Sequence, residues 1–454
     1  MFLTNYGLDK PVSAWHTVHI LVCTRVSSGV VGSCTRGAEK VDMTKRQAFL
    51  AALRCEPVDR LVWAPNIDYW FNVNWAEGTL PPKYDGASRF DILRDIGAHI
   101  WARSSATKIV RDPSVVERKY QVGNSRVHEF ETPIGTIREV YLRTEGDHRA
   151  MYRAERFIKD LDCISVMKYV LEATHYEPDY EPTLNTLAEV GDDGIVVNQC
   201  FCVPFVQFAK SDAGYINGFY MWMDHRHEVE SLLEAYTRLF LQGYEVLADG
   251  PADVISTGDN MDGVMISPAL FREYAVPFYR EAKNILEPKG KIFEAHWCGR
   301  TQNLLEYVPG CGLDVVEAVV TRPMANISLS DALDLLNGEV ALQGGLPSVM
   351  VCHEGGTWHD FERYIENEIL PQAERPGFVL GMADNVPPNA DFARVQAVSK
   401  MIAKSGTVLS VRVTDEKPQD VLYDEIDSRR ILIRDTSSDV ANESLRSVGD
   451  NREE

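Results

Sequence analysis

From residue 43 to residue 404 the chain alternates short apolar runs with amphipathic helical stretches. The segment MTKRQAFLAALR opens this region with capping-box spacing at Thr44 and Gln47 and an apolar stripe of Phe49, Leu50 and Leu53, which predicts a helix. Runs at 61–65, 99–103, 195–199, 253–257, 291–295, 313–316, 340–343 and 377–381 predict strands, most of them bounded by Gly, Asp or Asn. Helical patterns at 228–248, 268–286, 331–336 and 360–369 lie between them. Eight such runs joined by crossovers predict an α/β fold, a (β/α)8 TIM barrel. An open doubly wound sheet is the competitor, but no Gly-x-Gly-x-x-Gly follows the first strand, which removes the usual dinucleotide signal. After the second strand, 115–122, 127–132 and 136–142 predict a small inserted β-meander, with turns at Gly123-Asn124 and Pro133-Ile134-Gly135.

The ends differ from this body. Residues 1–42 show no sustained periodicity and read as a poorly ordered extension, with Met43 rather than Met1 as the functional start. The alternative is an arm used in oligomer contacts, and a homodimer is one expected assembly. Residues 405–454 hold 12 acids and 7 bases with few aromatics, and read as a disordered acidic tail.

Composition narrows the function. The chain has 454 residues, 45% hydrophobic and 25% charged, ordinary for a soluble globular protein. A formal charge of -21 argues against nucleic-acid or anionic-membrane partners. No run approaches the ~20 apolar residues of a membrane span, and no basic segment precedes an apolar one as in a signal peptide. Nine cysteines, an odd number at irregular spacing, suit a reducing cytoplasm, so a cytoplasmic location is expected.

In a barrel, chemistry sits at the C-terminal strand ends. Those ends carry Asn66 and Asp68 with the aromatics Tyr69, Trp70, Phe71 and Trp75, then Asn198 and Gln199, then Asp259, Asn260 and Asp262. His296 and Cys298 follow the fifth run, Glu317 the sixth, Gly344 and Gly345 the seventh, and Asp384 and Asn385 the eighth. Glu294-Ala295-His296-Trp297-Cys298-Gly299 is the sharpest feature, because imidazole nitrogen and thiolate sulfur are the usual zinc donors. The plainer reading is a buried Cys beside a hydrogen-bonded His. A catalytic zinc also needs a third protein ligand, for which Asp384, Glu317 and Asp259 are the candidates by strand-end position. No Gly-x-Ser-x-Gly elbow or Walker-type loop is present.

MTKRQAFLAALRCEPVDR, ISPALFREYAVPFYREAKNIL, KIFEAHWCGRT, ALQGGLPS and NVPPNADFARVQAV, in that order, resemble uroporphyrinogen-decarboxylase-fold proteins over roughly residues 43–404. True decarboxylases of that superfamily carry an Arg-Gln-Ala-Gly-Arg element after the first strand, whereas this chain reads APNIDYWFNVNW, without an arginine. The cobalamin-dependent methyltransferase branch binds zinc through a His-x-Cys pair and a later Cys. His296 and Cys298 match the pair, and alignment on Val386-Pro387-Pro388 puts Asp384 where the later Cys falls, a departure from the branch.

The resemblance implies a zinc-dependent methyltransferase moving a methyl group between a small substrate and cobalamin on a partner corrinoid protein. The chain shows no Asp-x-His-x-x-Gly cobalamin element of its own. The aromatic cluster after the first strand favours O-demethylation of a methoxylated aromatic. Methyl-cobalamin:thiol transfer and a uroporphyrinogen-type decarboxylation are the alternatives. On this reading His296, Cys298 and Asp384 hold zinc, with Glu317 and Asp259 as supporting catalytic residues or substitute ligands. Asn66, Asp68, Trp70, Asn198, Gln199 and Asn260 orient the substrate.

Overall fold

A computed structural model describes residues 43–143 and 151–405. The expected extension over 1–42 and the expected tail, from 406 onward, lie outside the described residues. The capping box is formed as anticipated. The Thr44 hydroxyl accepts from the Gln47 N–H, the Gln47 side chain returns to the Thr44 N–H, and helix Lys45–Leu53 follows.

Eight parallel strands make the central sheet: β1 Val62–Trp63, β2 Ile100–Ser104, β3 Gly194–Cys200, β4 Val254–Thr257, β5 Ile292–His296, β6 Val315–Val319, β7 Ala341–Leu346 and β8 Phe378–Met382. Their order is β1-β8-β7-β6-β5-β4-β3-β2, each strand beside its sequence neighbour, as right-handed crossovers produce. The His99 N–H, one residue before β2, donates to the Trp63 carbonyl of β1 at 2.7 Å and joins the two ends of the sheet. The fold is therefore the expected (β/α)8 TIM-barrel type. Between β5 and β6 the crossover is reduced to one helical turn, Leu305–Tyr307.

Two cores follow from the pleat. Val62, Ile195, Val197, Val254, Ile292, Val315, Ala341 and Val379 cluster with Ala48, Phe49, Ala52 and Leu53 of the first helix, which plugs one end of the barrel. Their neighbours Trp63, Val196, Ile255, Phe293, Val316, Leu342 and Leu380 belong to the outer core, between barrel and helices. Both faces of each strand are thus buried, and each fully buried large apolar side chain contributes roughly 1.5–3 kcal/mol. Above the inner apolar layer the inward positions become polar: Ser256, Glu294, Glu317 and Gln343 are all buried.

The inserted meander is present with one strand more than the sequence suggested. Val116–Val122, Ser125–Thr132, Gly135–Arg143 and Met151–Glu155 form an antiparallel sheet. Gly123-Asn124 makes the first turn, Gly123 taking φ +56°. A second, unanticipated pair joins Thr107–Arg111 to Thr174–Pro178. Its partners are far apart along the chain, so no local turn signal announces them.

Candidate metal centre

The site is assembled by pleat alternation at two strand ends. Glu294 and His296 both face inward, since they sit two and four residues after Ile292 of the inner core. Trp297 points outward into the core, packing edge-on against Phe271 with ring centroids 5.5 Å apart. Cys298 then returns to the mouth. Gly299 permits this, for its N–H reaches the Met261 carbonyl at 3.1 Å and an added Cβ would lie 2.4 Å from that oxygen. From β8, Asp384 approaches with φ +127°, a conformation L-residues rarely adopt.

His296, Cys298 and Asp384 are thereby brought together. One ligand atom from each lies within 4.8 Å of the others, and His296 Nε2 is 3.8 Å from Asp384 Oδ1. Glu317 Oε2 is 2.5 Å from His296 Nδ1, where it fixes the ring and leaves Nε2 toward the other two donors. Asn260 Nδ2 donates to Cys298 Sγ at 3.4 Å, and Asn385 Nδ2 to Asp384 Oδ1 at 2.6 Å. The mouth also concentrates unusual backbone: Asn260, Ala318 and Asp384 have positive φ, as do Gly344 and Gly345. A Cβ on Gly344 would lie 2.7 Å from Val319 N, at the bulge of β6 just beyond Glu317.

The electrostatics follow from burial and one carboxylate. Burial opposes a charged His296, but the Glu317 charge, with hydrogen bonds to Cys298 and Glu317, outweighs it and pushes the imidazole up to about 11. Burial raises Asp384, against the pull of His296. Burial and then the Glu317 charge raise Glu294, against the opposing pull of Ser256, His296 and Trp101.

The donor set fits zinc. Nitrogen, sulfur and oxygen are its ordinary ligands, and tetrahedral coordination places them about 3.3–3.6 Å apart, against 3.8 Å for the His296–Asp384 edge and at most 4.8 Å for the trio as a whole. Each donor already has a supporting hydrogen bond.

The other anticipated residues divide. Asn260 reaches the site through Cys298. Gln199 holds an inward register and is exposed. Asn66 accepts from the Asp68 N–H at 3.2 Å, and its carbonyl accepts from Val386 N–H at 2.8 Å, tying the β1 and β8 loops together. Asp68 accepts from Arg103 at 2.8 Å.

Three expectations are corrected. Asn198, one residue off the inward register, is fully buried and donates to Thr183 on the surrounding helix Glu181–Val190. Trp70 stacks on Phe392 with ring centroids 3.9 Å apart, so it is core. Asp259 is fully buried, its carboxylate held by the Val203 N–H at 2.7 Å and the Tyr279 hydroxyl at 2.5 Å, which ties its loop to the segment after β3 and to helix Val276–Leu286. The aromatic wall is dispersed as well: Trp63 faces the outer core, while Tyr69 and Trp75 are exposed.

Two cations at the mouth escaped the sequence reading. Arg103, the penultimate residue of β2, holds an inward register and opposes the rise of Asp384. Lys210 donates to the Gly258 and Asp259 carbonyls, both at 2.9 Å, and to Asn260 Oδ1 at 3.3 Å. Arg103 could be placed only once the parity of β2 was known, and Lys210 follows β3 within an irregular helical turn that no local pattern marks.

Fold and site together define an α/β barrel with a three-donor pocket at the C-terminal strand ends. Residues 209–405 match the uroporphyrinogen decarboxylase (URO-D) family, which bears out the resemblance of the sequence to that superfamily. No curated protein matches the chain in sequence. Among solved structures, a methyltransferase from Methanosarcina mazei is similar at 16% identity and TM-score 0.52, over 81% of this chain and 100% of that one. A D-psicose 3-epimerase from Clostridium cellulolyticum H10 is similar at 12% identity and TM-score 0.30, over 51% of this chain and 85% of that one.

Proposed function

We propose that this protein is a zinc-dependent methyltransferase that moves a methyl group between a small substrate and cobalamin carried by a separate corrinoid protein. The observation that carries the reading is the convergence of His296, Cys298 and Asp384, with Glu317 behind the imidazole. The URO-D match and the shared fold of a methanogen methyltransferase support it.

Zinc held by these three residues supplies a Lewis acid that polarises an ether oxygen or lowers the pKa of a thiol. Glu317 takes the Nδ1–H of His296 as a hydrogen bond, so Nε2 is the atom that would hold the metal, with loss of its proton. Asn260 and Asn385 hold the sulfur and the carboxylate in place. Gln199, exposed at an inward position, and Arg103, anchored by Asp68, are the polar groups placed to orient a substrate. With Trp63 and Trp70 committed to the core, the flat aromatic wall that favoured a methoxyarene has lost its support, so methoxyarene, methylamine and thiol are weighed equally in the assay. Decarboxylation of a carboxylate-rich porphyrinogen is disfavoured by the charges, for Arg103 is already paired with Asp68.

The test is metal analysis of wild type beside His296→Ala and Asp384→Ala. Wild type is expected to hold near-stoichiometric zinc and the variants a small fraction of it. Equal zinc in all three removes the site. Failure of the zinc-loaded protein to methylate Co(I) cobalamin from methoxyarenes or methylamines, and to demethylate methyl-cobalamin with thiols, removes the reaction.

A further inference from the structure

The loop after β4 is held from the β3 side by a lysine. Residues Gln207–Asp212 form a π-helical turn after β3, a rare geometry that gathers at functional sites. Asp212 anchors the turn. Its carboxylate accepts from the Tyr236 hydroxyl at 2.6 Å and from Gln207 Nε2 at 2.9 Å, and its carbonyl accepts from the Ile158 N–H at 2.9 Å. The turn delivers Lys210 to the barrel mouth. There its ammonium donates to the Gly258 and Asp259 carbonyls, both at 2.9 Å, and to Asn260 Oδ1 at 3.3 Å, so its three N–H bonds meet three oxygens. Cys202 Sγ, 3.7 Å from the same nitrogen, is itself engaged as a donor to the Gly258 carbonyl at 3.0 Å.

Lys210 thereby decides which way Asn260 points. A side-chain amide can turn either end toward a neighbour, but an ammonium only donates, so the amide oxygen has to face Lys210. The amide NH2 then faces Cys298 Sγ, 3.4 Å away, and the sulfur is the acceptor. With the amide reversed, two donors would oppose each other at Lys210, and the sulfur would meet an oxygen that only a protonated thiol can satisfy. His296 also bonds to Cys298, but Nε2 has to release that bond to take a metal, since Nδ1 is committed to Glu317. The bond from Asn260 is not spent in that exchange.

We propose that Lys210 is a positioning residue for the metal centre: through Asn260 it turns a donor toward Cys298 and keeps the sulfur in the accepting role that a metal ligand plays. Two loops that contribute no metal donor, those after β3 and β4, thus support the donor after β5.

This inference rests on the zinc site proposed above, and the experiment separates the two. Zinc affinity of the full chain is measured by competition with a chromophoric chelator. The cobalt(II)-loaded protein is read by its near-ultraviolet sulfur-to-cobalt charge-transfer band. Lys210→Met keeps the length and loses the donors, while Asn260→Gly suits the φ of +51° and loses the amide. Each is expected to weaken zinc about tenfold. Each is also expected to move the band to longer wavelength, because a thiolate relieved of a hydrogen bond gives up electron density more easily. The double variant is expected to bind within about twofold of Asn260→Gly, since both changes break one relay. Unchanged zinc affinity or an unmoved band in Lys210→Met would overturn the proposal. A further loss of about tenfold on adding Lys210→Met to Asn260→Gly would overturn it too, by showing that the lysine acts through the loop carbonyls alone. Should Lys210→Met fail to fold, an unmoved band in Asn260→Gly overturns it. A wild type that holds no more zinc than His296→Ala removes the site itself and the proposal with it, whereas the other outcomes leave the site standing.

Discussion

Asp384 can be replaced in two ways that separate its backbone strain from its carboxylate. Its φ of +127° is a conformation in which a non-glycine residue costs about 1–3 kcal/mol. Asp384→Ala keeps that strain and removes the carboxylate, whereas Asp384→Gly removes both. Both variants lose the contact with His296, which is worth about 0–1 kcal/mol because the Asp384 side chain is 44% exposed. That loss cancels between them. Glycine adds conformational entropy to the unfolded chain, a cost of about 0.4–1 kcal/mol relative to alanine. The difference leaves Asp384→Gly more stable than Asp384→Ala by about 1 kcal/mol. Urea denaturation in the presence of a chelator is the assay, and with a slope of ~3 kcal/mol/M the midpoints differ by about 0.3 M. Both variants should also lose more zinc affinity than the ~10–100-fold that loss of a supporting residue costs. An alanine variant more stable than the glycine variant by about 0.4–1 kcal/mol, the entropy cost of glycine alone, would show that the backbone stores no strain. A glycine variant that holds zinc as wild type does would show that the carboxylate is no ligand. Strain kept at a functional residue against stability is a common trade.

Further outcomes are expected elsewhere. Glu317→Gln keeps a neutral acceptor for His296 Nδ1 and should weaken zinc about tenfold, while Glu317→Ala should approach ~100-fold. Competition with a chromophoric chelator measures both, and wild-type affinity in the alanine variant would exclude Glu317 as support. Asp212 faces Tyr236, Arg153 and Glu139, and its carboxyl is raised to about 6, so the folded state binds its proton more tightly than the unfolded state. Its contribution to stability is therefore greatest below about pH 4, falls as pH rises to about 6, and totals at most ~3 kcal/mol. Denaturation of Asp212→Asn should show the variant gaining on wild type between pH 4.5 and pH 7, and parallel pH profiles would contradict the burial argument.

Much of the architecture was legible because it is local. The capping box of Thr44 and Gln47, the eight strand runs and the hairpin at Gly123-Asn124 are short-range patterns, and each formed where expected. Strand parity was not legible. In a barrel both faces of a strand are buried, so Ile195-Val196-Val197 reads as one apolar run and gives no sign that Asn198 turns outward while Gln199 turns inward. The same ambiguity hid Arg103. The aromatic cluster after β1 misled because its spacing matches a helix face, and only packing against Phe392 shows which face is core. The sequence by itself determined the elements, their order and the donor types His296, Cys298 and Asp384, since backbone preference and side-chain chemistry are local properties. Tertiary structure alone decided that Asp384 meets His296, that Glu317 backs the imidazole and that Asp259 does not reach it. Those relations depend on which way each strand's pleat faces once the barrel closes.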